Sequence, residues 1–347
     1  MLYVTTRNAK DAFTVSHAIN RNRCADGGLY VPYQLPVMTA DEISALKDKS
    51  LSQCVADVLN LFFGAKLSSF DIDLCIGRYP YQMTSMSHKI TVAEIWHNPE
   101  SDFEGIVCRI GTRINPDTTF AEKPSNWVCI AVRIAVLFGI FAELYRNETV
   151  DTSNKVDVSV SAGDFQMPMA VWYARQMGLP ISAIICGCNQ NGTLWDLVHH
   201  GQMKTDTVTV QTLTPKCDYA IAPDLERLIF SCLGEKETLH YTDVCASGRL
   251  YSLSEEQTKT LSAGLFPAVV SDRRMLNVIN SVYRTNQYLL DPYSALAFGA
   301  LQDYRAVAGE TKPALILSEA SAFCSSETVA EALGITQQEL LDRIYTK

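Results

Sequence analysis

The chain has 347 residues, of which 47% are hydrophobic and 19% charged, so it can bury a large core and divide into more than one lobe. Its formal net charge of −9, without any Lys/Arg-rich run, argues against nucleic acid or an anionic membrane surface as a partner. The first residues lack the apolar core of a signal peptide and the 11 cysteines lack framework spacing, so we expect a cytoplasmic protein with reduced thiols.

Residues 1–90 are predicted to form an N-terminal domain. A glycine turn, Asp26-Gly27-Gly28, leads into a short apolar strand that ends at Pro32. Two core helices are predicted after it: residues 39–46, capped by Thr39 with Glu42 three residues later, and residues 52–63, ended by Gly64.

An acidic segment follows the next predicted strand and contains Asp102 and Glu104. Two carboxylates at a helix start usually complement the helix dipole and need no chemical role. The alternative is that Glu104 acts as a general acid or base near His97.

Residues 127–145 form an apolar run long enough to suggest a membrane span. Arg133 near its middle and Glu143 near its end favour a buried helix instead. We therefore predict no membrane partner.

A β-turn-α-β unit is predicted over residues 155–201. Alternating valines mark a strand that ends near Ser161, a helix follows up to Gly178, and a second strand covers residues 181–186. Such a unit closes onto a parallel sheet, and ligands bind beyond the carboxyl ends of its strands. We predict an α/β fold with a parallel sheet flanked by helices.

Two cysteines close the second of these strands and two histidines lie further on. Cys186 and Cys188 stand one residue apart, which is a poor zinc template, and buried cysteine is the commoner finding. We predict no metal site with them or with His199 and His200.

The run SVSAGDFQMPMAVWYARQMGLPI in the β-turn-α-β unit resembles the threonine synthase family, in which a strand enters a Ser-Gly-Asn-Phe-Gly-Asp loop. That family is dependent on pyridoxal phosphate (PLP) and has fold type II. The resemblance implies that the loop around the cofactor phosphate is formed by Ser161, Ala162, Gly163, Asp164, Phe165 and Gln166. Gln166 and Met167 replace a glycine and an aspartate of the family, so the turn could equally be a plain strand-helix connection.

The resemblance covers nearly the whole chain, through residues 26–32, 92–105, 214–227 and 288–295. When residues 92–105 are aligned with the matching segment of the family, the family's Schiff-base lysine corresponds to Glu104. A carboxylate cannot form an imine. Lys89 and Lys123 do not obviously replace that lysine. Asn126 and Ser318 are further positions at which the resemblance implies contact with the cofactor.

A small domain of the family is predicted to be deleted near residues 114–124. In threonine synthases, two segments that resemble residues 111–113 and 125–127 flank a small α/β domain with a Gly-Asp-Thr-Gly loop. No such loop occurs in this sequence, so residues 91–347 are predicted to form a large domain with an open cleft. An open cleft exposes apolar surface, and we expect an oligomer or a protein partner to cover it.

We predict a threonine synthase-like pseudoenzyme or binding protein without PLP Schiff-base chemistry, with no cofactor and with a small anionic or amino-acid ligand. One alternative is an active PLP-dependent enzyme that converts O-phosphohomoserine to threonine and phosphate, or a related lyase, completed by another lysine or a partner subunit. A second alternative is a cofactor-free enzyme that uses Glu104, His97 and Asp164 in the remaining cleft.

Overall fold

The strands of the described residues form three β-sheets. A computed structural model describes residues 1–77, 82–96, 103–119, 125–309 and 312–345. Within them the strands are, in chain order, β1 (Leu2–Thr5), β2 (Asn8–Thr14), β3 (Tyr30–Pro32), β4 (Gln82–Met86), β5 (Ile90–Glu94), β6 (Val156–Ser161), β7 (Ile181–Cys188), β8 (Gln202–Lys204), β9 (Leu250–Ser252), β10 (Leu265–Val269) and β11 (Ala314–Ser318).

The central sheet has six strands in the order β10-β7-β6-β11-β5-β4. Only the β4–β5 pair within it is antiparallel, and its other neighbours are parallel. The two smaller sheets, β2-β1-β3 and β8-β9, are antiparallel. The predicted α/β fold is confirmed, and the sheet is parallel as predicted except for the β4–β5 pair.

Helices cover both faces of the central sheet. Those of the described residues are α1 (Val15–Asn20), α2 (Ala40–Ser44), α3 (Leu51–Phe63), α4 (Ser69–Ile76), α5 (Phe103–Ile114), α6 (Trp127–Arg146), α7 (Gln166–Gln176), α8 (Thr193–His200), α9 (Leu225–Ser247), α10 (Glu255–Ser262), α11 (Asp272–Asn286), α12 (Pro292–Ala308), α13 (Ser326–Leu333) and α14 (Gln337–Tyr345).

Two hydrophobic cores lie on opposite faces of this sheet. Along β7, Ile184 and Cys186 belong to one core, whereas Ala183 and Ile185 belong to the other, as the two-residue period of a strand requires. On the first face α6 packs against α3, α5 and α7. On the second, α12 packs against β6, β7, β10 and β11.

Helix ends in the N-terminal region follow local capping chemistry. Thr39 and Glu42 form the predicted reciprocal capping box, with Thr39 N–H donating to the Glu42 carboxylate at 2.7 Å. Gly64 ends α3 in the left-handed conformation with φ of 61°. α4 begins with the same kind of capping box, formed by Ser68 and Asp71, although no helix was predicted there.

The apolar helix α6 lies inside the fold. By length and composition it could cross a membrane, with a mean hydropathy of 2.1, but 94% of its most apolar window is buried. Buried positions occur all around the helix, which is the pattern of a core helix packed on every side.

The 11 cysteines all lie within the described ranges and form no disulfide. Among the residues that the structure describes, no group of three or more His, Cys, Asp or Glu side chains could hold a metal ion. Cys186 and Cys188 are buried in β7, and burial raises the pKa of both thiols.

Candidate functional site

A cavity of about 310 Å³ lies at the carboxyl ends of β6 and β11. Its walls come from the turn after β6 and the start of α7, the residues after β11, the first turns of α5 and α12, Arg133 in the second turn of α6, and the segment 216–219. Parallel strands of an open sheet leave a ligand crevice at this edge, and the volume suits a small molecule.

The turn after β6 places a carboxylate against the start of α7. Gly163 and Phe165 have φ of 47° and 73°, a left-handed path that turns the chain sharply. Asp164 Oδ1 accepts the backbone N–H of Gln166 at 3.0 Å, and Asp164 Oδ2 accepts the Gln166 side-chain amide. The chain's own carboxylate therefore occupies the helix N-terminus, a position that favours negative charge.

A buried arginine pairs with Glu104 at the cavity wall. The Arg133 side chain is 3% exposed, and its Nη2 binds the Glu104 carboxylate. Its Nη1 donates to the Cys129 carbonyl at 3.1 Å, and the Phe103 ring lies 5.4 Å from the guanidinium. Burial acts to lower the pKa of Arg133, but the nearby carboxylates, above all Glu104, outweigh it and raise that pKa. Arg133 is therefore a fixed cation.

Glu319 contributes a third carboxylate, directly after β11. Burial raises the pKa of its carboxyl group from the ordinary 4.5 to about 7. The Arg133 guanidinium opposes this rise, whereas the carboxylates of Glu104 and Asp164 add to it. Glu319 therefore changes charge near neutral pH.

We expect the raised pKa of Glu319 to make stability depend on pH. Between pH 4.5 and about 7 the unfolded carboxyl loses its proton while the folded one keeps it, so the free energy of unfolding falls as pH rises. Glu319→Gln removes this titration, so the variant should gain stability relative to the parent across that window. Thermal unfolding at four pH values measures the difference in stability between the variant and the parent. Glu256→Gln on exposed α10 is the control. A difference that stays as constant with pH as in that control would contradict the raised pKa of Glu319.

The outer rim of the cavity contains Lys216, which sequence reasoning did not single out. Lys216 is exposed, and its backbone N–H donates to Tyr293 Oη at 3.4 Å. The sequence could have indicated Lys216 as a site residue, because it lies within residues 214–227, which resemble the family. Its neighbour Cys217 is buried, and burial raises the pKa of that thiol, so it is a poor nucleophile.

The structure brings together most of the predicted turn and Glu104. The lining residues among the predicted positions are Glu104, Ser161, Ala162, Gly163, Asp164 and Gln166. Phe165 differs, because its side chain is 1% exposed and packs in the first core. His97 lies outside the described residues.

Asn126 and Ser318 are not among the lining residues of this cavity, and both form hydrogen bonds within the fold, so their contact with a cofactor stays a prediction. Asn126 caps α6 by accepting the Val128 N–H at 2.9 Å and donates to the Arg21 carbonyl at 2.8 Å. Ser318 accepts the Trp96 indole N–H at 3.1 Å and donates to Asp291 at 3.0 Å.

Comparisons with known proteins agree on one family. The family model "Threonine synthase N terminus" matches residues 2–79. Threonine synthase-like 1 of Homo sapiens is 26% identical over 243 residues, which cover 69% of this chain and 32% of that protein. Threonine synthase of Pseudomonas aeruginosa is 31% identical over 199 residues, which cover 56% of this chain and 40% of that enzyme. The chain is similar to threonine synthases and to threonine synthase-like 1.

This threonine synthase-like chain matches well under half the length of those two curated relatives. Its fold is that of the PLP-bound threonine synthase from Brucella melitensis, with a TM-score of 0.85 and 20% identity over 96% of this chain and 92% of that chain. The predicted fold type II architecture and the family resemblance are thereby confirmed.

Proposed function

We infer that this threonine synthase-like chain is a binding protein that does not hold PLP as an imine. The observation that carries the inference is the Glu104–Arg133 ion pair, because the family resemblance puts the Schiff-base lysine at Glu104. A carboxylate cannot form an imine with the aldehyde of PLP.

The phosphate end of PLP also fits this cavity poorly. A phosphate needs unpaired backbone N–H groups at a helix start. Here the Asp164 carboxylate already accepts the Gln166 N–H, and a phosphate placed there would meet a negative charge. The residues present therefore do not suit the cofactor.

The short connection between α5 and α6 supports deletion of the small domain. α5 ends at Ile114 and α6 begins at Trp127. Asn115 and Thr118 within that connection hydrogen-bond Asn20 of the N-terminal region. The domain division at residues 1–90 and 91–347 stays a prediction, and β4, which lies before that boundary, pairs with β5 in the central sheet. We propose that a second copy or a protein partner in the cytoplasm covers the exposed cleft.

Incubation of the purified protein with PLP is expected to give no imine absorbance band. Borohydride reduction and peptide mapping should then find no pyridoxyl group on a cavity lysine, because the lysine at the rim, Lys216, has no phosphate site beside it. Exposed Lys236 in the same sample measures background labelling.

The active-enzyme alternative makes the opposite prediction through Lys216. The inference would be contradicted by an imine absorbance band that is present in the parent protein and absent in Lys216→Met. The pyridoxyl group would then map to Lys216 above the Lys236 background. Threonine synthase activity on O-phosphohomoserine in the same parent sample would contradict it too.

A further inference from the structure

Charged groups line the cavity in unequal numbers. Among the described residues, the acidic groups are Glu104, Asp164 and Glu319, and the cations are Arg133 and Lys216, which is exposed at the rim. Above the raised pKa of Glu319 of about 7, the negative charges outnumber the positive ones, although the Glu104 side chain is 53% exposed and paired with Arg133. An interior lined in this way attracts a positively charged ligand and repels an anion.

Arg133 is largely engaged within the chain. Its Nη2 is bound to Glu104, its Nη1 donates to the Cys129 carbonyl, and the Phe103 ring covers its face. Its Nε is buried and has no hydrogen-bond partner among the described residues. A buried donor needs an acceptor, which a neutral oxygen or a water supplies without bringing a negative charge.

A buried amide oxygen gives independent evidence of a missing donor. Gln166 lines the cavity and is 4% exposed. Its amide nitrogen donates to Asp164, which leaves Oε1 as a buried acceptor without a partner. Buried acceptors in folded proteins normally accept a hydrogen bond. An N–H or O–H group from outside the chain could therefore donate to this oxygen.

The remaining walls suit a short alkyl chain with a charged end. Met167, Ala162 and Ala320 supply apolar surface, and Tyr219 and Tyr293 supply aromatic rings. Aromatic rings attract ammonium groups through their π faces. The volume of about 310 Å³ is at the small end for ligand pockets.

We propose that this cavity binds a small organic cation with a primary ammonium group and without phosphate or carboxylate. The ammonium donates to Asp164, Glu319 and Gln166 Oε1, while its alkyl chain lies against Met167 and the tyrosine rings. The proposal rests on the proposed function, since it requires that the start of α7, which the Asp164 carboxylate already occupies, binds no phosphate. It departs from the anionic ligand that the sequence predicted because the acidic lining disfavours an anion.

Calorimetric titration with 1,4-diaminobutane tests the proposal, with butanedioate as a dianion of equal length and inorganic phosphate as a second anion. The expected result is saturable binding of the diamine and none of either anion. Glu319→Gln and Asp164→Asn should each weaken diamine binding at least tenfold, because each removes one charge and keeps a hydrogen-bond acceptor. Glu256→Gln on the exposed surface should leave the affinity within twofold of the parent.

Tighter binding of butanedioate or phosphate than of the diamine would overturn the proposal. So would diamine affinity that is unchanged in both cavity variants, provided that their thermal unfolding shows them folded. The PLP test separates the two ideas: an imine on Lys216 would refute the proposed function, whereas no imine together with no diamine binding would refute the ligand class alone.

Discussion

Arg227→Met is expected to lower the free energy of unfolding by about 3–5 kcal/mol, because it leaves a buried carboxylate without its counter-charge. Arg227 and Asp224 side chains are both 0% exposed and form an ion pair at the start of α9. Arg227 also donates to the Ser125 carbonyl at 2.7 Å and the Tyr30 carbonyl at 3.3 Å. Urea-induced unfolding followed by tryptophan fluorescence measures the loss.

The control for this variant is Lys49→Met, which breaks an ion pair at the surface. Lys49 and Asp57 are 43% and 52% exposed, so we expect less than about 1 kcal/mol. Adding Asp224→Asn to Arg227→Met should recover part of the loss, because the unpaired charge disappears. Equal losses in the Arg227 and Lys49 variants would show that burial of the pair does not matter.

Gly187→Ala is expected to cost about 3 kcal/mol through overpacking. A Cβ at this position in β7 would come within 2.4 Å of the Leu296 carbonyl carbon and 2.7 Å of the Ala297 nitrogen in α12. Both neighbours are backbone atoms, so the helix itself must move. Because Tyr293 on α12 lines the cavity, diamine binding should weaken along with the unfolding midpoint in urea.

Gly299→Ala provides the matched control, since it adds the same methyl group within α12. Its Cβ would meet the two Val270 methyl groups at 3.0 and 3.1 Å, farther than the backbone atoms that a Cβ at Gly187 would meet. Alanine also gains roughly 1 kcal/mol of helix propensity over glycine, so we expect a net change within about 1 kcal/mol. A larger loss at Gly299 than at Gly187 would contradict the packing argument.

Local patterns predicted the β-turn-α-β unit well. The strands and helix expected there correspond to β6, α7 and β7, and Gly178 has the left-handed φ of 115° that its position after the helix indicated. A similar local cap precedes α14, where Thr336 N–H donates to the Glu339 carboxylate at 2.8 Å. Such features depend on residues within one turn of each other, so the sequence reveals them.

The chemistry of the cavity could not be predicted in the same way. Glu104 and Arg133 lie on different helices, and nothing in the apolar run around Arg133 indicates which group it pairs with. Glu319 and Lys216 reach the cavity only because β11 and the 216–219 segment end beside β6. Charge balance in a cleft depends on these tertiary neighbours, which a linear pattern of residues does not specify.

β11 lies between β5 and β6 and pairs with both. During synthesis β5 leaves the ribosome long before residues 314–318 are made, and at roughly 5–20 residues per second the delay is on the order of 10–40 s. Throughout that interval β5 and β6 have unpaired edges, which can pair with strands of other nascent chains. We therefore expect this chain to rely on chaperones during translation, and a ribosome-stalled chain that ends before residue 314 to associate with them.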